Sequence, residues 1–144
     1  MKSRRARHQV RVLYQDTDQA KVVHHATYFR YLEAGRLEMW RHHGFSYDAF
    51  EKTTGLGLPV VEANLRYRAA GRFDDLLDIE TWVSAATRAS IWFDATVHRA
   101  NPGEERVLLV EASVRLACAS FSDGQIRRIP DVILDACLEP GHGV

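Results

Sequence analysis

Residues 14 to 28, Tyr14 through Tyr28, put two carboxylates (Asp16, Asp18), two adjacent histidines (His24, His25) and two tyrosines into one short run. Neighbouring carboxylates can separate their pKa values, so that one stays ionised as a base or a nucleophile. A helix that begins near His25 and Ala26 presents backbone N–H groups with no partner in the helix, and such groups can polarise a carbonyl or hold a developing oxyanion. A carboxylate a few residues upstream of such donors is an arrangement for acyl chemistry. The plainer reading of the same residues is an aspartate cluster that caps and solvates a helix start.

Other chemistries fit less well. His24-His25 and His42-His43 are adjacent pairs, and adjacent residues cannot aim both rings from one helical face as ligands at i and i+4 do, so no metal site is expected. The Asp16-Thr17-Asp18 triplet lacks the glycine at the sixth position of a calcium loop, where Lys21 stands. A strand followed by Asp-x-Asp also begins the haloacid-dehalogenase-like phosphatases, but these need a parallel sheet with alternating helices. The tail from Pro59 onward is strand-rich and lacks that rhythm.

The elements that must position these groups can be read from periodicity. Residues 8–14 alternate like a strand and run into the aspartate segment. From Thr27 to His43, Tyr28, Tyr31, Leu32, Gly35 and Met39 recur at helical spacing, and Gly44 supplies a stop. Ala34-Gly35 in mid-helix costs about 1 kcal/mol of propensity; either a sheet approaches closely there or the glycine is merely tolerated. A short helical turn is expected over Ser46–Lys52, then strands over Pro59–Arg68, Leu77–Ala85, from Ile91 to the Asn101-Pro102-Gly103 turn, Arg106–Phe121 and Gln125–Ile129. Pro130 opens a terminal helix at its favoured first position. One strand, a long helix and about five more strands describe an α+β domain, an antiparallel sheet wrapping one helix. Ile91, Phe93, Trp82 and Trp92 offer apolar area on both faces, and a bare edge strand invites pairing with a second chain, so a dimer with a shared sheet is expected.

Composition bounds the partners. The chain has 144 residues, 46% of them hydrophobic, which suits one domain over residues 1–144. Nineteen basic residues balance nineteen acidic ones, so no global field draws it to nucleic acid or an anionic membrane. Cys118 and Cys137 are too few and too far apart for a disulfide framework or a CxxC motif. With no apolar stretch long enough to span a bilayer, a cytoplasmic protein with reduced thiols is expected.

The segment Val10-Arg-Val-Leu-Tyr-Gln-Asp-Thr-Asp18, followed by Val22-Val-His-His-Ala-Thr-Tyr-Phe-Arg-Tyr-Leu-Glu-Ala-Gly-Arg-Leu-Glu-Met-Trp-Arg41, resembles the hotdog-fold acyl-CoA thioesterases of the 4-hydroxybenzoyl-CoA thioesterase type. Within that family it is most similar to the Tol-Pal-associated acyl-CoA thioesterases. The likeness runs on through Arg72-Phe73-Asp74-Asp75, the strand meander and Arg127-Arg128-Ile129-Pro130. It implies a hotdog fold, hydrolysis of an acyl-CoA thioester without a cofactor, and Asp18 as catalytic carboxylate, either nucleophile or general base on water. Tyr14 and His25 match the tyrosine and histidine that accompany that aspartate. The N–H of His25 would polarise the thioester carbonyl in a cavity beside the helix start, while Asp16 would be structural, bonded to loop backbone.

The resemblance also implies Arg88, and further Arg72, Arg127 and Arg128, as cations for the phosphates of coenzyme A. It implies a dimer or tetramer with its pocket between one subunit's helix start and the partner's strands, and acyl-carrier-protein thioesters as a variant substrate. Glycines usually follow the triplet in this family, where this chain has Gln19-Ala20-Lys21. That departure keeps a non-catalytic acyl-binding dimer open. A hotdog dehydratase, which pairs a histidine with a helix-borne carboxylate such as Glu33 or Glu38, is the other alternative.

Overall fold

The computed structural model describes all residues, Met1–Val144. Strand β1 (Arg5–Arg11) leads through a 3-10 turn (Tyr14–Asp16) and a small hairpin to helix α1 (Thr27–His42), then α2 (Tyr47–Thr54). The two-residue β2 (Leu56–Gly57) precedes the main meander of β3 (Val60–Tyr67), β4 (Leu76–Ala86), β5 (Ser90–Arg99) and β6 (Val107–Ala117). A two-residue β7 (Ala119–Ser120) and helix α3 (Asp131–Cys137) complete the chain. Five strands form one antiparallel sheet in the order β1-β4-β5-β6-β3, and β2 pairs with β7 in a separate ribbon. This is the expected α+β hotdog architecture, a sheet curled around one long helix.

Alternation places Leu77, Ile79, Thr81 and Val83 of β4 on the helix side, all buried, with Ile91, Phe93, Ala95 and Val97 of β5 beside them. Helix α1 buries Tyr28, Tyr31, Leu32, Gly35 and Met39. Gly35 lies against β4: a Cβ there would stand 2.8 Å from Ile79 Cγ2 and 2.8 Å from Thr81 Oγ1. Close approach of the sheet is therefore the reason for the glycine. The helix ends as Gly44 predicts, with Gly44 at φ 78°, Gly44 N–H on Arg41 O at 3.0 Å and Phe45 N–H on Trp40 O at 2.9 Å. Phe45 packs edge-on against Trp40, which completes a Schellman stop.

Several boundaries differ from the sequence reading. The first strand lies upstream, at Arg5–Arg11, where two of the three inward residues, Ala6 and His8, are only weakly apolar and leave the alternation faint; Tyr14 belongs to the turn. The long strand expected over Arg106–Phe121 breaks at Cys118, whose N–H bonds to Ala89 O at 2.9 Å, and its last residues pair instead with β2. Of the strand expected over Gln125–Ile129, only a single bridge from Ile126 to Ala119 forms. Pro130 sits one position earlier than expected, as the extended N-cap of α3. No helix is long and apolar enough to cross a membrane.

Candidate active site

The segment between β1 and α1 is held by Asp16. Its carboxylate is 2% exposed and accepts from Tyr31 Oη at 2.9 Å, from Leu13 N at 3.0 Å and from the Arg30 guanidinium. Its carbonyl accepts from His24 N at 2.9 Å. One aspartate thus ties the loop to the first turns of α1, and burial together with this bond pushes the Tyr31 hydroxyl above the usual tyrosine range. Asp16 is structural, as expected, but it binds helix side chains as well as loop backbone.

Two residues on, the chain turns back on itself in a tight hairpin. Asp18 N bonds to Val22 O at 2.9 Å, Lys21 N to Asp18 O at 2.9 Å, and Thr17 bridges Val23. Lys21 adopts φ 65°, the left-handed conformation that closes a three-residue hairpin loop and that glycine takes most cheaply. A lysine thus holds the left-handed position of this loop where glycine would be least strained. Asp18 is exposed, and its Oδ1 accepts from Ala20 N at 2.8 Å.

At the helix start the His25 carbonyl accepts from Tyr67 Oη, at the end of β3, at 2.9 Å. The His25 N–H donates to no protein acceptor, whereas Ala26 N reaches His24 Nδ1 at 3.2 Å. The His24 and His25 rings lie 4.3 Å apart. The turn through Arg72-Phe73-Asp74-Asp75 supports the hairpin from below: Val23 N bonds to Gly71 O at 2.8 Å and Val12 N to Asp75 O at 2.9 Å. Asp75 is buried, accepting from Arg72 N and Asn101 Nδ2, both at 2.9 Å. Tyr14 stacks on Phe73 with ring centroids 3.9 Å apart, and the residue is otherwise exposed.

Asp18, His25, Tyr14 and Arg72 thus gather at one end of the sheet. Arg88, Arg127 and Arg128 gather at the other, where Ile129 N bonds to Arg88 O at 2.7 Å. Arg127 pairs with Asp123 at 2.7 Å and Arg128 with Asp131 at 3.5 Å, while Arg88 is exposed and makes no ion pair. The length of β3, about 26 Å for its eight residues, separates the two groups within one chain. None of the principal cavities of the protomer is lined by Asp18 or His25. No principal cavity of the protomer thus lies beside the His25 amide, where one was expected. Tyr67 was missed from the sequence, having no local signal in a strand of mixed polarity. Arg30 and Tyr31 could have been suspected, since they lie on the first turns of α1 that must face the aspartate loop.

The antiparallel sheet wrapped around one long helix is a hotdog architecture, and at one end of it an exposed carboxylate on a hairpin lies near the start of that helix. The family model of the thioesterase superfamily matches residues 20–106, and the chain belongs to that superfamily; it is a thioester hydrolase. It is 35% identical over 125 residues to the acyl-CoA thioester hydrolase YbgC of Escherichia coli, covering 87% of this chain and 90% of that one. It is likewise 35% identical over 112 residues to the acyl-CoA thioesterase YbgC of Haemophilus influenzae, covering 78% and 79%. Among solved structures, 4-hydroxybenzoyl-CoA thioesterase from Pseudomonas sp. strain CBS-3 superposes with a TM-score of 0.85 at 26% identity, covering 93% of this chain and 99% of that one. An Asp-to-Asn mutant of 4-hydroxybenzoyl-CoA thioesterase, in complex with 4-hydroxybenzoyl-CoA, matches with a TM-score of 0.83 at 25% identity, covering 93% and 99%.

Proposed function

We propose that this chain is a cytoplasmic enzyme that hydrolyses acyl-CoA thioesters to the free acid and CoA, with Asp18 as the reacting carboxylate and the His25 N–H polarising the thioester carbonyl. The observation that carries the reading is the free His25 amide just before α1, beside the hairpin that bears Asp18, with the neighbouring His24 N–H bonded to the Asp16 carbonyl. Tyr67, bonded to the carbonyl of that same residue, anchors the following peptide, His25–Ala26. Asp18 attacks the carbonyl carbon and expels the CoA thiolate, which takes up a proton. Water then cleaves the mixed anhydride and restores the carboxylate. In the alternative course Asp18 takes the proton from water as the water attacks. Tyr14, stacked on Phe73, forms the outer wall. Acyl-carrier-protein thioesters present the same reacting group.

The separation of the two residue groups is resolved by a second copy. Strand β3 is a sheet edge along its whole length, with Val60, Val61 and Tyr67 about half exposed. Two such edges paired antiparallel about a two-fold axis bring the Val60 end of one copy beside the Tyr67 end of the other. Arg88, Arg127 and Arg128 of one protomer then stand near Asp18 and His25 of its mate, placed for the phosphates of coenzyme A, with Arg72 of the mate at the rim. The functional unit is a homodimer, or a tetramer built from it.

Thiol release from an acyl-CoA panel tests the chemistry. Asp18→Asn is expected to lower turnover by about 10²–10⁴-fold, while His25→Ala, which keeps the backbone N–H, retains most of it. A dehydratase would leave the thioester intact, and a binding protein would turn over nothing. The shared site is tested by mixing Asp18→Asn with a variant carrying Glu at positions 88, 127 and 128. Each is inactive alone, but a hybrid dimer has one intact site, so about a quarter of wild-type activity should return after subunit exchange. No recovery from a mixture shown to contain hybrids would refute the shared site.

A further inference from the structure

The flank of α1 carries a buried charge that the hydrolytic machinery does not use. Arg36 is 9% exposed, yet its guanidinium makes no hydrogen bond and no ion pair within the chain. Burial holds it below the usual arginine range, and the charge of Glu33, one turn earlier, opposes that. It lines a cavity of ≈ 230 Å³ with Glu33 at the rim and walls that include Trp40, Leu58, Val60 and Leu116. A largely buried cation that opens only into a mostly apolar pocket, with no anion beside it, is placed to pair with an anion that enters.

The position of the cavity says which anion. Val60 begins β3 and Leu116 pairs with it, so the cavity opens at the end of β3 that, in the paired dimer, adjoins the mate's Tyr67 and His25. An acyl group whose carbonyl sits on the mate's His25 amide has this cavity within reach. By volume it holds about seven or eight waters, at about 30 Å³ each, which suits a short acyl chain. The single planar guanidinium matches a carboxylate in two parallel hydrogen bonds, and Glu33 at the rim disfavours a doubly charged phosphate.

We infer that this cavity receives the acyl group of the thioester hydrolysed at the mate's Asp18, and that Arg36 selects acyl groups ending in a carboxylate, the monothioesters of dicarboxylic acids. The inference rests on the hydrolase and dimer reading above. It is tested with CoA thioesters matched in length, adipoyl against hexanoyl and suberoyl against octanoyl, on the full-length protein, wild type, Arg36→Met and Arg36→Lys. Wild type is expected to favour the carboxylate-bearing member in kcat/KM by about tenfold or more, the range of hydrogen bonds to a charged group. Arg36→Met should reverse that preference, and Arg36→Lys should retain part of it. Equal turnover of both members by wild type would overturn the selector while leaving the hydrolase intact. A preference unchanged in Arg36→Met would also overturn it, most directly if the dimer weakens in sedimentation, which would assign Arg36 to the interface. Turnover of no thioester at all would instead refute the underlying hydrolase reading.

Discussion

Asp16 and Asp18 are two residues apart and carry opposite burdens, so replacing each by asparagine should break different properties. Asp16 accepts from Tyr31 Oη at 2.9 Å and Leu13 N at 3.0 Å on one oxygen, and from Arg30 on the other. In Asp16→Asn one acceptor oxygen survives while an NH₂ group faces a donor. Loss of one hydrogen bond to a charged group costs about 1.5–3 kcal/mol, and the buried donor left facing it adds about 1 kcal/mol or more. Arg30, whose side chain is 58% exposed, rehydrates and adds little. A loss of about 3 kcal/mol follows. Asp18 is exposed and its one bond, from Ala20 N at 2.8 Å, can be kept by the asparagine oxygen, so Asp18→Asn should change stability by less than about 0.5 kcal/mol. Urea denaturation of both variants, beside thiol release from a single acyl-CoA, separates the two effects. If Asp16→Asn kept the wild-type urea midpoint and lost turnover, while Asp18→Asn remained active, the assignment of roles would be reversed and the reasoning refuted.

Gly35→Ala sets a gain of about 1 kcal/mol in helix propensity against about 1–3 kcal/mol of overpacking, because the new Cβ meets two stiff β-branched side chains at 2.8 Å. A net loss of about 1 kcal/mol is expected, read as a lower melting temperature. Lys21→Gly relieves about 1–2 kcal/mol of left-handed backbone at φ 65° and adds about 0.5–1 kcal/mol of unfolded-state entropy. Chemical denaturation should therefore show a gain of about 0.5 kcal/mol, and a loss would contradict the backbone argument. Acid should destabilise the protein in two stages, because Asp78 and His98 face each other across β4 and β5. Burial and the Arg106 charge push His98 below the usual histidine range, so its contribution is present above about pH 6.5 and fades as pH falls through the lowered value. Burial alone would push Asp78 up, but hydrogen bonds from Gln9 and Arg106 and the charges of Arg106 and Arg7 hold it down. Its contribution is lost only below about pH 4. Melting temperature followed against pH should show the first stage disappear in His98→Gln.

How much could be read from sequence tracks the range over which each signal acts. Helix α1 was legible from its period and from Gly44, because both the apolar stripe and the left-handed stop are local. The alternation of β4 and β5 was legible for the same reason. The start of strand β1 was not legible because its inward residues there, Ala6 and His8, are too weakly apolar to mark a period of two. A structural role for Asp16 was implied by the resemblance alone, because its bonds to Arg30 and Tyr31 span 14 and 15 residues and exist only once the helix packs back on the loop. Gly35 admitted two readings until the distance to Ile79 and Thr81 decided between them. Tyr67 left no local mark at all: its contact with His25 spans 42 residues.

The arginines show the limit most plainly. Arg72, Arg88, Arg127 and Arg128 form a single class by resemblance, yet the sheet divides them between its two ends, with only Arg72 beside Asp18 in the same chain. The proposed antiparallel pairing of two β3 edges would reunite them and would set the Arg36 cavity beside the same reacting carbonyl. The proposed dimer would meet two otherwise unrelated facts, a basic cluster remote from its carboxylate and a buried guanidinium without an anion, with the same second copy in the same orientation. A crystal dimer joined through β1 edges instead would leave both unexplained.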